Sequence, residues 1–376
     1  MKKIVLLGTS NSLRINGLSK GLKNQKIELI NLSLGAGSSL HGICEIYRHR
    51  FKIKDSDLII IEKNIIDTGN CISGITPINI ILKNIRILYE EIYSFKKKVV
   101  TLILPLWKEN ILDGVIEQEH RRLCLKFGFN FIDIHTFFKD NNLINFYAVL
   151  GSHPLQLFMC SLGEKIVSNI EIFNCPKPNI SVANYDFKFV HISDLLNINS
   201  KKHHFLQKNS VFEEFVYRVD QNYKDFSFPE YLNGYAIVGI YSWTKPQIAK
   251  QGYSTFVFID KNNKKYVKDI PTAVKHFADI NSEKLILSQI KYFFSTIKEE
   301  LPSENTWGMN NKKDLIFTDY TDIIGFLLFK KEELKMKEDY IEQTVNFQKY
   351  NFSHLIPQCI FDYKQIIEEY LNGFSK

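Results

Sequence analysis

Five short apolar runs, separated by stretches of helical spacing, organise the first 173 residues and limit the fold more sharply than any other feature. The runs fall at 3–7, 27–32, 58–62, 99–104 and 129–134. A strand buried on both faces carries apolar residues continuously rather than alternately, as strands of parallel sheets do. Between the third and fourth runs, positions 78, 81, 82, 85, 88, 92 and 95 are apolar, which is helical spacing. Pro77 suits the first turn of that helix. Residues 111–127 repeat the pattern and stop at Gly128, a helix terminator, and a last helix starts near Pro154 and runs to about Ile170. Strands alternating with helices predict an α/β fold, a three-layer α/β/α sandwich around a parallel sheet.

Past Cys175-Pro176-Lys177-Pro178 the period changes. Segments 187–189, 211–219, 235–243 and 254–259 are β-branched or aromatic and are separated by Asn, Lys, Gly and Asp turns. Residues 260–265, Asp-Lys-Asn-Asn-Lys-Lys, read as a hairpin loop. Residues 180–270 are therefore expected to form an antiparallel β-sandwich. Further on, helices are expected at 284–300 and 363–370 and strands at 314–318 and 323–329. The division is a domain over 1–175 and a β-rich accessory domain with some helices over 180–376.

A chain of 376 residues exceeds one ordinary core, which agrees with two domains. Six scattered cysteines with no Cys-x-x-Cys pair read as reduced thiols of a cytoplasmic protein. The first twelve residues are too short in apolar content for a signal peptide, and no run approaches the roughly 18 apolar residues of a membrane span. A net charge of +7 spread over lysine-rich loops reads as a solvated surface and does not indicate nucleic-acid binding. His191 with His203-His204 lacks Cys or carboxylate neighbours at ligand spacing, so no metal site is expected.

The first apolar run ends in Gly8-Thr9-Ser10-Asn11-Ser12, and Ser152-His153-Pro154 precedes the last helix of the alternating half. A glycine turn at a strand's carboxyl end leaves Ser10 where open α/β sheets place their ligands, with Ser12 read as the helix cap. A serine hydroxyl needs a base to take its proton, and His153 can return over the sheet end to supply it. The position three before His153 is Leu150, so the imidazole is oriented either by a backbone carbonyl near Leu150 or by an acid such as Asp133. Asp133 itself reads first as the cap of the following helix. The second run empties into Ser33-Leu34-Gly35-Ala36-Gly37, whose N–H groups can face a developing oxyanion. Asn64, after the third run, can donate an amide there, and Asp67 can bond backbone or support a neighbouring loop.

Taken in order, these segments resemble the SGNH (GDSL-type) hydrolase superfamily over residues 1–173. The family's Gly-Asp-Ser is matched by Gly8-Thr9-Ser10, its glycine after the second strand by Gly35-Ala36-Gly37, its Gly-x-Asn-Asp by Asn64-Ile65-Ile66-Asp67, and its Asp-x-x-His by Leu150-Gly151-Ser152-His153. Strict alignment puts the family asparagine on Ile66 and its aspartate on Leu150. The resemblance implies an SGNH/flavodoxin-like sandwich with Ser10 as nucleophile and first oxyanion donor, His153 as base, and Gly35, Gly37 and Asn64 as further oxyanion candidates. It implies acyl-ester chemistry, and the leading expectation built on it is a carbohydrate-directed enzyme acting on a bacterial surface glycan: an O-acetyl esterase needing no cofactor, or an O-acetyltransferase drawing on acetyl-CoA. Tyr235, Tyr241, Trp243 and Trp307 are aromatic faces that the β-rich region can offer a sugar, though strand aromatics more often build cores. The alternative is a non-catalytic glycan-binding or scaffold protein that kept the fold.

Overall fold

The computed structural model describes residues 1–23, 26–106, 114–150, 153–195, 204–220, 228–246, 251–281, 285–296, 302–309, 314–330 and 347–373. Strands β1 (Lys2–Leu7), β2 (Ile27–Asn31), β3 (Leu58–Ile61), β4 (Lys98–Ile103) and β5 (Asn130–Asp133) pair in parallel in the order β2-β1-β3-β4-β5. The connections run through α1 (Ser10–Leu13), α2 (Leu18–Leu22), α3 (Ser39–Arg48), α4 (Arg50–Lys54), α5 (Asn64–Ile72), α6 (Ile78–Ser94) and α7 (Val115–Phe127). After the last strand come α8 (Ile134–Asp140), α9 (Ile144–Val149) and α10 (Gln156–Ser168).

Each strand feeds two cores. Val5, Leu7, Ile59 and Ile61 pack with α3, α6 and α7, while Ile4, Leu6, Leu58 and Ile60 pack with α2, α8 and α10. That alternation places helices on both faces, the three-layer arrangement expected from the apolar runs. Strand order reverses direction between β1 and β3, so the loops leaving these two strands part and open a crevice at their carboxyl ends.

Two glycines fix a second relation. A Cβ on Gly21 would lie 1.9 Å from the Cys160 carbonyl oxygen, and one on Gly163 would lie 2.8 Å from the Leu18 carbonyl oxygen. Helices α2 and α10 therefore meet backbone on backbone. The element following Ser10 is thereby seated against the element following His153.

The β-rich part consists of β6 (Asp186–His191), β7 (His204–Lys208), β8 (Glu213–Val219), β9 (Tyr235–Trp243), β10 (Gly252–Asp260), β11 (Lys265–Thr272), β12 (Lys275–Asp279), β13 (Ile290–Thr296), β14 (Ile316–Phe317) and β15 (Thr321–Lys330). One sheet runs β12-β9-β15-β8-β7 with β6 on β15, and the other runs β11-β10-β13 with β14 on β10. Phe256, Phe258 and Phe293 of the second sheet pack on Phe326 of the first, which closes a sandwich. The expected hairpin joins β10 to β11, with Asp260 accepting from the Asn262 and Lys264 amides.

The structure corrects several expectations. No helix occupies the described part of 284–300, where a 3-10 turn at Leu287–Gln289 leads into β13. Phe293 faces the sandwich core while Phe294 packs on Val257, Ile259 and Val267 on the opposite face, a period of two that outweighs the lysines and glutamates flanking it. Residue 284 and residues 297–300 lie outside the described residues, as do 111–113 of the expected 111–127 helix. The segment after residue 180 does not behave as one block. Helices α11 (Phe347–Tyr350) and α12 (Cys359–Gly373) return to the first half, where Phe352, Leu355, Ile356 and Ile360 join the α8/α10 core and the Phe352 amide donates to Phe131 O at 2.8 Å. Tyr235, Tyr241 and Trp243 are buried and offer no face to a sugar, whereas Trp307 is 46% exposed. All six cysteines are free thiols, and among the described residues no helix is long and apolar enough to cross a membrane.

Candidate active site

Burial fixes the turn that carries Ser10. Glu62, fully buried at the end of β3, accepts from the Thr9 amide (2.9 Å), the Thr9 hydroxyl (2.8 Å) and the Ser12 hydroxyl (3.0 Å). One carboxylate thus ties down the residues on both sides of Ser10. Ser12 is consequently not the helix cap; that place is taken by Thr9, whose side chain is held by Glu62. Gly8 is required by the same compactness, because a Cβ there would lie 2.0 Å from Ser12 Oγ. Lys63, also buried, donates to the Gly8 carbonyl at 2.8 Å and the Gly37 carbonyl at 3.0 Å, stapling the serine turn to the loop after β2. Burial raises the Glu62 carboxyl above its ordinary value against the pull of its donors, and burial lowers the Lys63 ammonium.

Left out of this clamp, the Ser10 hydroxyl meets His153: Oγ lies 2.9 Å from Nε2. Proton transfer needs that reach. His153 is half-buried, and its pKa is lowered from 6.5, first by burial and then by the positive charge of Arg14. The ring is therefore neutral, and able to act as a base, further into the acid range than a free imidazole. Gly151 and Ser152, which precede it in the motif, lie outside the described residues.

The remaining sequence candidates divide. Among the described residues the N–H groups of Ser10 and Gly35 donate to nothing, and the Leu34 amide donates to Gly8 O at 3.3 Å, which runs the Gly35 loop alongside the serine turn. The Gly37 amide, by contrast, donates to Leu34 O at 3.0 Å and closes a turn in which Ala36 takes a left-handed φ of 57°. Gly37 thus shapes the loop and has no amide left for an oxyanion. Asn64 is also removed from that role. Its amide donates to Leu104 O at 2.8 Å while its carbonyl accepts from Leu104 N at 3.1 Å, so it bolts the end of β3 to the end of β4. Asp67 accepts from the Ser39 amide and hydroxyl and anchors the start of α3; burial raises its carboxyl. Asp133 caps α8 through the Thr136 amide (2.9 Å) and receives Arg121 Nε at 2.6 Å, so both its oxygens are engaged and it does not orient His153.

Sequence reasoning missed Glu62 and Lys63. Two adjacent charges closing a run of four apolar strand residues at the sheet's carboxyl end were the available signal. A charge there is either solvated or built into a site, and here both are buried.

No family model matches this chain, and no curated protein matches it. Among solved structures it is similar to the acetyl xylan esterase AlAXEase, at 18% identity over 39% of this chain and 83% of that one, with a TM-score of 0.33. TesA aligns at 16% identity over 45% of this chain and 96% of its own, with a TM-score of 0.34. A catalytic mutant of the acetylxylan esterase Axe2 from Geobacillus stearothermophilus aligns at 12% identity over 46% and 92%, also with a TM-score of 0.34.

Proposed function

We propose that the chain performs serine-dependent acyl-ester chemistry on a carbohydrate through an acyl-enzyme on Ser10. The observation that carries this reading is the 2.9 Å contact between Ser10 Oγ and His153 Nε2. Ser10 Oγ attacks the ester carbonyl carbon as its proton passes to Nε2, and the carbonyl oxygen takes up charge against the Ser10 and Gly35 amides. The ester C–O bond then breaks and His153 returns the proton to the departing alcohol. Water as the second acceptor gives an esterase; a sugar hydroxyl, with acetyl-CoA as the acyl donor, gives an O-acetyltransferase. The carbohydrate assignment draws support from the exposed indole of Trp307 beside Ala36 of the Gly35 loop; the recess beneath it, shared with Asn70, measures about 10 Å³ and admits no sugar ring. Asn70 Oδ1, His276 Nε2 and Thr306 Oγ1 border that recess, buried without a hydrogen-bond partner among the described residues.

Leu150 in place of the family aspartate, together with the engagement of Asn64 by Leu104, favours the second reading, a scaffold without catalysis. A fluorophosphonate probe decides between them. Labelling that disappears in Ser10→Ala supports the enzyme, together with a fall of two or more orders of magnitude in p-nitrophenyl acetate turnover in His153→Ala. Parent protein that takes no label, or His153→Ala within a few-fold of the parent, refutes it.

A further inference from the structure

Tyr241 of β9 and Asp279 of β12 belong to the sandwich, yet each bonds to a residue that shapes the Gly35 loop. The link from Tyr241 runs through His41, a fully buried residue of α3. His41 Nδ1 lies 3.4 Å from Lys63 Nζ, and its Nε2 lies 3.3 Å from Tyr241 Oη. Burial, and then Lys63, lower the imidazole from 6.5 to about 4, so the ring is uncharged at neutral pH. An ammonium can only donate, which makes Nδ1 the acceptor and leaves the ring proton on Nε2. That proton faces Tyr241 Oη and, at 3.5 Å, Glu45 Oε1. Lys63 gives its other two protons to Gly8 O and Gly37 O. The ring also lies against the loop itself, since a Cβ on Gly37 would stand 2.8 Å from His41 Nδ1. A shift of His41 therefore moves both Gly37 and the ammonium that staples it.

The link from Asp279 runs through Ser38, the cap of α3. Ser38 Oγ accepts from the His41 amide at 3.3 Å and donates its own proton to Asp279 at 2.9 Å. Ser38 follows Gly37 directly, so this bond fixes the exit of the loop as Lys63 fixes its turn. Arg48 of α3 and Lys275 of β12 both donate to the Glu214 carboxylate of β8, which holds the sandwich against the helix.

We propose that the β-sandwich is a working part of the active site: Tyr241 and Asp279 are positioning residues that set where the Gly35 amide stands relative to Ser10. Tyr241 acts through His41 and Lys63, and Asp279 acts through Ser38. The proposal rests on Ser10 as nucleophile and Gly35 as an oxyanion donor.

The test measures p-nitrophenyl acetate turnover and backbone hydrogen exchange on the full chain carrying Tyr241→Phe, Asp279→Ala or Asp279→Asn. Removing a whole oxyanion donor costs about 100-fold or more, and a donor displaced but still present loses part of that. In Tyr241→Phe the Nε2 proton is left to Glu45, which draws the ring away from its seat. Tyr241→Phe and Asp279→Ala are each expected to lower kcat about tenfold, with KM within about twofold of the parent. Exchange quickens in residues 33–41 while β4 and β5 exchange as in the parent. Asp279→Asn keeps an oxygen for the Ser38 hydroxyl and restores both readings. Should Asp279→Ala not fold, Ser38→Ala removes the same bond and is held to the same outcomes.

In a parent whose turnover depends on Ser10, a variant within about twofold of it in kcat overturns the assignment of that residue and leaves the nucleophile standing. A fall in kcat with faster exchange throughout the chain is a general loss of stability and overturns the positioning as well. Absence of Ser10-dependent turnover in the parent overturns the catalytic reading, and the positioning with it.

Discussion

Replacing Glu62 tests whether the serine turn is held in the way described. Glu62→Ala removes the acceptor of three buried donors, the Thr9 amide, the Thr9 hydroxyl and the Ser12 hydroxyl. The two hydroxyls can rotate to other oxygens, but the amide cannot. A buried donor left without a partner costs about 1–3 kcal/mol, and the vacated side-chain volume adds to that. Removal of a carboxylate whose own burial is unfavourable offsets part of the loss. The net expectation is a destabilisation of about 3 kcal/mol in urea unfolding followed by tryptophan fluorescence. Displacement of the turn by an ångström also costs Ser10 its alignment, so kcat on p-nitrophenyl acetate should fall about a hundredfold with KM little changed. Glu62→Gln retains one oxygen for the Thr9 amide and Ser12 hydroxyl, while its amide can donate to a reversed Thr9 hydroxyl. It should recover most of both quantities. A Glu62→Ala protein within about 1 kcal/mol of the parent and within a few-fold in kcat refutes the clamp.

Three further perturbations probe other parts of the arrangement. Because burial and Arg14 lower the His153 pKa, the acid limb of kcat/KM should lie below pH 6.5, and Arg14→Gln should move it upward; an unmoved limb would remove Arg14 from the electrostatics of the base. Asp279, buried at the end of β12 with Ser38 Oγ donating to it at 2.9 Å, is raised from 3.8 to about 6 by burial. In that interval the folded protein keeps a proton the unfolded chain has lost, so stability drains away as pH climbs from about 4 to 6. Asp279→Asn should gain on the parent across that window in urea midpoints, and a pH-independent difference would contradict it. Gly163→Ala places a methyl within 2.8–2.9 Å of backbone atoms of α2 and should cost about 1–3 kcal/mol together with turnover; a neutral effect on both would show that the two helices have slack.

Much of the first half could be read from residues because its signals are local. The apolar runs, the Pro77 start of α6 and the Gly128 end of α7 each depend on a few neighbouring side chains, and each lies within a residue or two of its expected place. Ser10 and His153 were legible for the same reason, since a turn glycine and a pre-helix histidine announce themselves without tertiary information. The donors of Asn64 and Gly37 are taken up by Leu104 and Leu34, and a sequence does not reveal which acceptor wins. In the β13 segment charged flanks hide a two-residue alternation that only pairing with β10 brings out. The return of α12 is a contact across more than 200 positions, and no periodicity encodes it.

The backbone contact at Gly21 and Gly163 has a mechanical corollary. With no side chains between them to act as a compressible cushion, the element after the serine and the element after the histidine cannot part without losing the seat altogether.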